Sequence, residues 1–142
     1  MSMKIVVLDG YNAKGEELNF DFLKKYGEVA YYDRTAPEDV LNRIVDADMV
    51  LLNKVVLTRE IMAQCKKLKF VSILATGYNV VDVKAARDLG ITVSNVPYYS
   101  TASVAQLTFA FILEFASKVA THDESAHSGV WQNSKDFAYT VG

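Results

Sequence analysis

The chain has 142 residues, 51% of them hydrophobic and 23% charged, with two prolines and a formal net charge of −2. That length suits one domain able to bury a sizeable core, and the composition excludes a disordered chain. A pI near 5.6 provides no basic field for a nucleic acid or an anionic membrane surface, and the single cysteine, Cys65, excludes an intrachain disulfide and a cysteine-built zinc site.

MSMKIVVLDG runs straight into a strand without signal-peptide architecture, so a cytoplasmic location is expected. KIVVLD (4–9) is a nearly continuous apolar run of strand length, the pattern of a strand covered on both faces. EELNFDFLKKYG (16–27) predicts a helix with Leu18, Phe22 and Tyr26 on one face and Gly27 at its stop. EVAYYD (28–33) is the second strand. TAPEDVLNRIVDAD (35–48) opens with Thr35 and Glu38 at capping-box spacing and aligns Val40, Leu41, Ile44 and Val45 on one stripe.

MVLLN (49–53) is strand three, and TREIMAQCKKL (58–68) is a helix capped by Thr58. The lysines around Cys65 are a route to a lowered thiol pKa, and a half-buried structural cysteine is the plainer reading. FVSILA (70–75) is strand four, Asp82 caps VKAARDL, Gly90 ends that helix, and ITVSN (91–95) is strand five. Strand and helix thus alternate with short connections, which demands parallel pairing and right-handed crossovers. The expected fold is an α/β three-layer sandwich on a five-stranded parallel sheet.

After residue 100 the rhythm changes. Ser103 and Gln106 stand at capping-box spacing before a long helix that reaches about His122, and Gln106 reads as a cap partner. Val104, Leu107, Phe111, Ile112, Phe115 and Val119 form one stripe, while Phe109, Ala110, Leu113 and Ala116 fill the other side. A helix apolar all round needs partners on more than one face. The segment 104–116 is too short to span a bilayer and carries Gln106 and Glu114. The tail is polar and loop-like, with Trp131 as its large anchor.

In an open parallel sheet, ligands bind beyond the carboxyl ends of the strands. Those ends read Asp9-Gly10-Tyr11-Asn12, Asn53-Lys54, Ala75-Thr76-Gly77-Tyr78-Asn79 and Asn95-Val96-Pro97-Tyr98. Two readings of this rim stay open. Gly77 either lets backbone N–H groups approach a carboxylate, with Lys54 complementing it, or simply makes a tight turn beside a solvated lysine. No dinucleotide-type or P-loop glycine pattern occurs in the sequence. His122 and His127, five apart, point about 140° apart on a helix and suit no shared metal.

The run LATGYNVVDVKAARDLGITVSNVPYYSTASVAQ (74–106) resembles the NAD-dependent D-2-hydroxyacid dehydrogenases, in their glycerate dehydrogenase (hydroxypyruvate reductase) branch. MKIVVLDG, LLNKVVLTREIM and SGVWQNSKDF support it, so the resemblance runs from about Met3 to Phe137. Val80 stands where many members have Asn, and Gln106 where many have Glu. The resemblance implies a flavodoxin-like substrate domain over 1–100, followed at 101–142 by a helix and tail leading towards a separate Rossmann cofactor domain. It places the carboxylate of a small 2-hydroxy or 2-keto acid on Thr76, Gly77 and Tyr78, with Lys54 near it, and sets Thr76 and Val104 near the nicotinamide of NAD. It also assigns the helix 103–122 to the interdomain contact and to a homodimer.

The dinucleotide loop, the carboxylate-binding Arg and the Glu–His pair come later in the family, and none has a counterpart before Gly142. The chain alone is therefore expected to be inactive, with no catalytic residue of its own and NAD versus NADP undecided. The alternatives are a stand-alone module of the same fold that binds a small carboxylate or dimerises, and a receiver domain. The latter needs an Asp where Asn53 stands.

Overall fold

The computed structural model describes residues 2–13 and 19–135. The chain divides into two compact units, Met1–Tyr98 and Tyr99–Gly142. In the first, strands β1 (Met3–Val7), β2 (Gly27–Tyr31), β3 (Met49–Leu52), β4 (Phe70–Ile73) and β5 (Thr92–Ser94) form one sheet in the order β2-β1-β3-β4-β5. Every pairing is parallel, as the strand–helix alternation requires. The order reverses between β1 and β3, so the sheet has its switch point there.

Alternation along each strand sorts the apolar runs onto two faces. Val6 and Leu8, Val50 and Leu52, and Val71 and Ile73 pack with Val40 and Ile44 of α1 (Val40–Ile44), Met62 of α2 (Arg59–Gln64) and Ala85 and Ala86 of α3 (Val83–Asp88). Ile5, Val7 and Leu51 point the other way and meet Phe20 and Leu23. On that second face Phe70 and Ser72 are only half-buried, and Thr92 and Ser94 are exposed. Among the described residues the expected sandwich is complete on one face and partial on the other.

Several local expectations shift. Leu18 lies outside the described residues. The described part of the first helix is a 3-10 turn, Asp21–Lys25, in which Phe22 and Tyr26 are 52% and 59% exposed while Phe20 and Leu23 are buried. Three residues per turn put positions i and i+3 on one side, which selects Phe20 and Leu23 over the stripe expected at helical spacing. Thr35 does not cap a helix. Its hydroxyl donates to the Leu8 carbonyl and accepts from Arg43 Nη1 at 2.7 Å. Ala36 is extended ahead of Pro37, so helical structure begins with the 3-10 turn Pro37–Asp39 and continues into α1.

The local caps elsewhere hold. Thr58 Oγ1 accepts from the Ile61 N–H at 3.5 Å, and Asp82 Oδ1 from that of Ala85 at 2.8 Å. Cys65 is buried, its Sγ 3.3 Å from the Ile61 carbonyl, and burial pushes the thiol pKa up, not down.

In the second unit α4 (Thr101–Ser117) starts two residues before Ser103, with the Val104 N–H donating to the Ser100 carbonyl at 2.9 Å. Ser103 and Gln106 are therefore interior helix positions and form no capping box. The expected continuation to His122 breaks at Lys118, which adopts φ 47° and ψ 47°, and α5 (Val119–His127) departs at 57°. Glu114 secures the break, because its carbonyl accepts from the Lys118 N–H at 2.8 Å and its Oε1 from that of Ala120 at 3.1 Å. The tail is more helical than expected, with α6 (Val130–Asn133) against α5, and Trp131 is 51% exposed instead of anchored. Every residue of α4 is exposed, Phe111 at 67% and Phe115 at 87%. No single described helix is long and apolar enough to cross a membrane, although α4 and α5 pass that test when taken together as a bent pair.

Two glycines separate two kinds of constraint. A Cβ on Gly27 would lie 2.0 Å from the Met3 carbonyl oxygen, whereas Gly90 has open space but φ +71°. Gly27→Ala is expected to cost about 2–3 kcal/mol through overpacking, and Gly90→Ala about 1 kcal/mol through backbone strain. Urea denaturation followed by circular dichroism checks both, with Gly27→Ala the more damaging.

Candidate functional site

The rim beyond the strand tips is built around one buried side chain. Asp9, two residues past β1, is 4% exposed, and its carboxylate accepts from the backbone N–H groups of Asn53 at 2.6 Å, Lys54 at 2.5 Å and Val55 at 3.3 Å. The loop after β3 thus hangs from β1. Asn53 then ties this loop to β4, its Nδ2 donating to the Leu74 carbonyl at 3.1 Å, while its buried Oδ1 has no partner among the described residues.

The next tip is joined to its neighbour reciprocally. Thr76 Oγ1 donates to the Val96 carbonyl at 3.0 Å, Asn95 Nδ2 donates to the Thr76 carbonyl at 2.8 Å, and the Val96 N–H donates to the Ala75 carbonyl at 3.0 Å. Downstream, Leu57 and Val81 form a parallel bridge, with the Leu57 N–H on the Val80 carbonyl and the Asp82 N–H on the Leu57 carbonyl. Residues 76–80 therefore leave one fixed anchor and arrive at another. Between the anchors, the backbone N–H groups of Thr76, Gly77, Tyr78 and Asn79 find no acceptor among the described residues, and all four residues are exposed.

Gly77 does not need to be glycine for the fold. Its φ is not positive, and a Cβ there would meet only Asn79 Oδ1, at 3.6 Å. That weighs against a glycine kept for a tight turn, and it leaves the outer side of the loop as the place where a missing side chain matters. Exposed N–H groups without a protein acceptor are hydrogen-bonded by water in the free chain, and on a tethered loop they are donors available to an anion.

The expected site residues are not all gathered in one cavity. Lys54 is exposed and lines a cleft of about 520 Å³ at the tips of β1 and β3, together with Asp9, Arg34, Thr35 and Val55. Tyr78 lines a separate cleft of about 580 Å³ beside β5, with Arg87, Ile91 and Asn95. Thr76 and Gly77 line neither. Val104 lies in α4, in the second unit, and is 60% exposed. Asp9 was legible only as a polar rim residue, because its partners lie 44 to 46 positions away. Among the described residues no group of acidic, histidine and cysteine side chains could hold a metal ion. His127 Nδ1 sits 3.0 Å from the Asp123 carbonyl and 3.3 Å from its Oδ1.

Comparison with known proteins gives this geometry a family context. Residues 5–140 match the family model for the D-isomer specific 2-hydroxyacid dehydrogenase, catalytic domain. The hydroxypyruvate reductase of Blautia hydrogenotrophica is 45% identical over 140 residues, which is 96% of this chain and 44% of that protein. The glycerate dehydrogenase of Methylorubrum extorquens is 30% identical over 139 residues, 98% of this chain and again 44% of the relative. Among solved structures, an acyclic imino acid reductase in complex with NADPH and D-Arg superposes with a TM-score of 0.75 at 27% identity, covering 89% of this chain and 41% of that one. The chain thus spans less than half the length of these relatives.

Removing Asp9 should dismantle the rim. Asp9→Ala leaves three backbone donors without their shared acceptor, and a loss of about 3 kcal/mol or more is expected. Asp9→Asn keeps the shape but turns an amide NH₂ towards those donors, so it should lose nearly as much. Urea unfolding of both variants provides the check; if both stayed within about 1 kcal/mol of the parent, Asp9 would not be the tie described.

Proposed function

The chain belongs to the D-isomer specific 2-hydroxyacid dehydrogenase family, and from that premise we propose that it is the substrate-holding part of such an enzyme. The observation that carries this reading is the row of free N–H groups from Thr76 to Asn79. A 2-hydroxy or 2-keto acid would lay its carboxylate on the donors of Thr76, Gly77 and Tyr78. Lys54, on a neighbouring strand tip, would add a positive charge. With the carboxylate fixed, C2 of the substrate has a defined position, which is what hydride transfer needs from this half of the protein.

In the complete reaction a nicotinamide cofactor would supply the hydride for C2 of the keto acid, with a proton completing the hydroxyl. The residues here suit the substrate end of that chemistry. They do not suit the dinucleotide itself, because the sequence has no glycine-rich phosphate loop. Thr76 and Val104 are assigned to the nicotinamide end only, and NAD or NADP remains open. Glycerate and hydroxypyruvate are the proposed pair, in line with the two relatives named above. These 142 residues alone are proposed to be inactive, since the sequence offers no dinucleotide loop and no counterpart of the family's Glu–His pair.

The α4 helix, with apolar residues on every side, fits the same reading. Its exposed Leu107, Phe111, Ile112 and Phe115 would be covered by a second copy of the chain. Light scattering at rising concentration should then show a dimer, and Phe111→Glu with Phe115→Glu should return it to monomer. A parent chain that stays monomeric throughout would remove this part.

For the site, D-glycerate titrated into the chain and followed by amide NMR should move the signals of Gly77 and its neighbours. Gly77→Ala should weaken that binding by about tenfold, because a Cβ blocks the approach, and should change stability by no more than about 1 kcal/mol. With hydroxypyruvate in excess, the chain should consume no NADH above a blank preparation. Turnover would refute the proposed inactivity, and glycerate binding unaffected by Gly77→Ala would refute the carboxylate seat.

A further inference from the structure

We propose that the cleft at the β1/β3 switch point is a second binding site, distinct from the Gly77 loop, for a small organic anion with an apolar body, such as an aryl or alkyl carboxylate. The sheet order reverses between β1 and β3, and in doubly wound sheets the loops that part on either side of such a reversal leave a crevice. The cleft of about 520 Å³ lies there, within the roughly 300–1,000 Å³ range of small-molecule sites.

Its lining is sorted by chemistry. Pro37, Val40, Val55, Val56 and Ile61 make an apolar surface, with Val56 left 56% exposed. Arg34 and Lys54 bring positive charge, and neither forms an ion pair among the described residues. Three of the carboxylates close by have partners of their own, while Glu38, beside Pro37, is exposed. Asp9 holds three backbone N–H groups, Asp33 accepts from the Tyr31 hydroxyl at 3.0 Å, and Asp39 pairs with Arg43 at 3.4 Å. A cleft with an apolar wall, in whose lining two cations face one carboxylate, favours an anion that also has something to bury.

The walls are also held in place before any ligand arrives. The Arg34 guanidinium sits over the Tyr11 ring, 4.6 Å from its centroid. Arg43 fixes the same loop from behind, donating to the Arg34 carbonyl at 2.9 Å and to Thr35 Oγ1 at 2.7 Å while lying 3.9 Å from the centroid of the Tyr32 ring. Thr35 in turn donates to the Leu8 carbonyl. Asp9 holds the opposite wall, at Lys54 and Val55. Such preorganisation reduces the ordering cost of binding. None of residues 76–79 lines this cleft; Lys54 is the one residue it shares with the proposed carboxylate seat, so its occupancy is read from Arg34, Thr35, Val56 and Thr58.

The test is an amide NMR titration of the full chain with phenylacetate, with phenylacetamide and malonate as controls. Shifts should concentrate on Arg34, Thr35, Lys54, Val55, Val56 and Thr58 and spare 76–79. Phenylacetamide, which lacks the charge, and malonate, which lacks the apolar body, should each bind there at least about tenfold more weakly. Arg34→Ala should weaken phenylacetate by about fivefold or more, and Val56→Glu, on an exposed position, by about tenfold, with unchanged thermal melting. Equal affinity for the amide, indifference to both substitutions, shifts centred on 76–79, or no saturable binding would each overturn the proposal. A parallel D-glycerate titration reads the Gly77 loop separately, so failure at one site is not mistaken for failure at the other.

Discussion

Everything at the functional end of this sheet depends on the carboxylate of Asp9. Burying an ionised side chain is costly unless its oxygens are occupied. Here three backbone donors occupy them, and those donors would themselves be unsatisfied without it. The two needs cancel at the place where the sheet changes winding direction. Strand pairing alone would align β1 with β3 but would leave the loop after Leu52 free to swing. With Asp9 in place, the position of Lys54 is set by the strand that precedes it by more than forty residues.

From that tie the rim is assembled by transfer. Asn53 carries the constraint from the β3 loop to Leu74, and the Thr76–Val96 and Asn95–Thr76 bonds carry it from the β4 tip to the loop after β5. The bridge between Leu57 and Val81 closes the circuit on the helical side. The loop at Gly77 is thus short, exposed and fixed at both ends, a combination in which backbone donors hold their direction without protein acceptors. Rigidity of the frame and emptiness of the donors come from the same set of bonds.

What could be read from the sequence follows the range of the interactions. The parallel sheet, its five strands and the caps at Thr58 and Asp82 rest on neighbours within a few residues or on simple alternation, and they were legible. Thr35 was misread as a cap because its actual partner, the Leu8 carbonyl, lies just past β1, 27 residues away. Ser103 was misread because the helix already begins at Thr101, and its spacing to Gln106 has no structural consequence there. The break at Lys118 carries no glycine or proline to announce it, and only the folded arrangement reveals Glu114 serving both sides of the turn. At the candidate site the residue types at Thr76, Gly77 and Tyr78 were visible. So was the idea that backbone N–H groups beside Gly77 could take a carboxylate; which of those groups lack a protein acceptor became clear only in the folded chain.

That difference separates two kinds of polar group on the rim. Asp9 looks chemical in the sequence, being a carboxylate at the end of a first strand, yet its oxygens are spoken for and it is fully committed to structure. Gly77 has no functional group at all, and the fold asks nothing of it: no positive φ and no close neighbour. At an exposed, tethered loop, N–H groups without a protein acceptor bond to water in the free chain and can exchange it for a ligand acceptor with little reordering of the backbone. The candidate site is therefore better identified by its unsatisfied backbone than by its most reactive side chain. The same criterion, applied to charge instead of hydrogen bonds, singles out Arg34 and Lys54, which form no ion pair among the described residues.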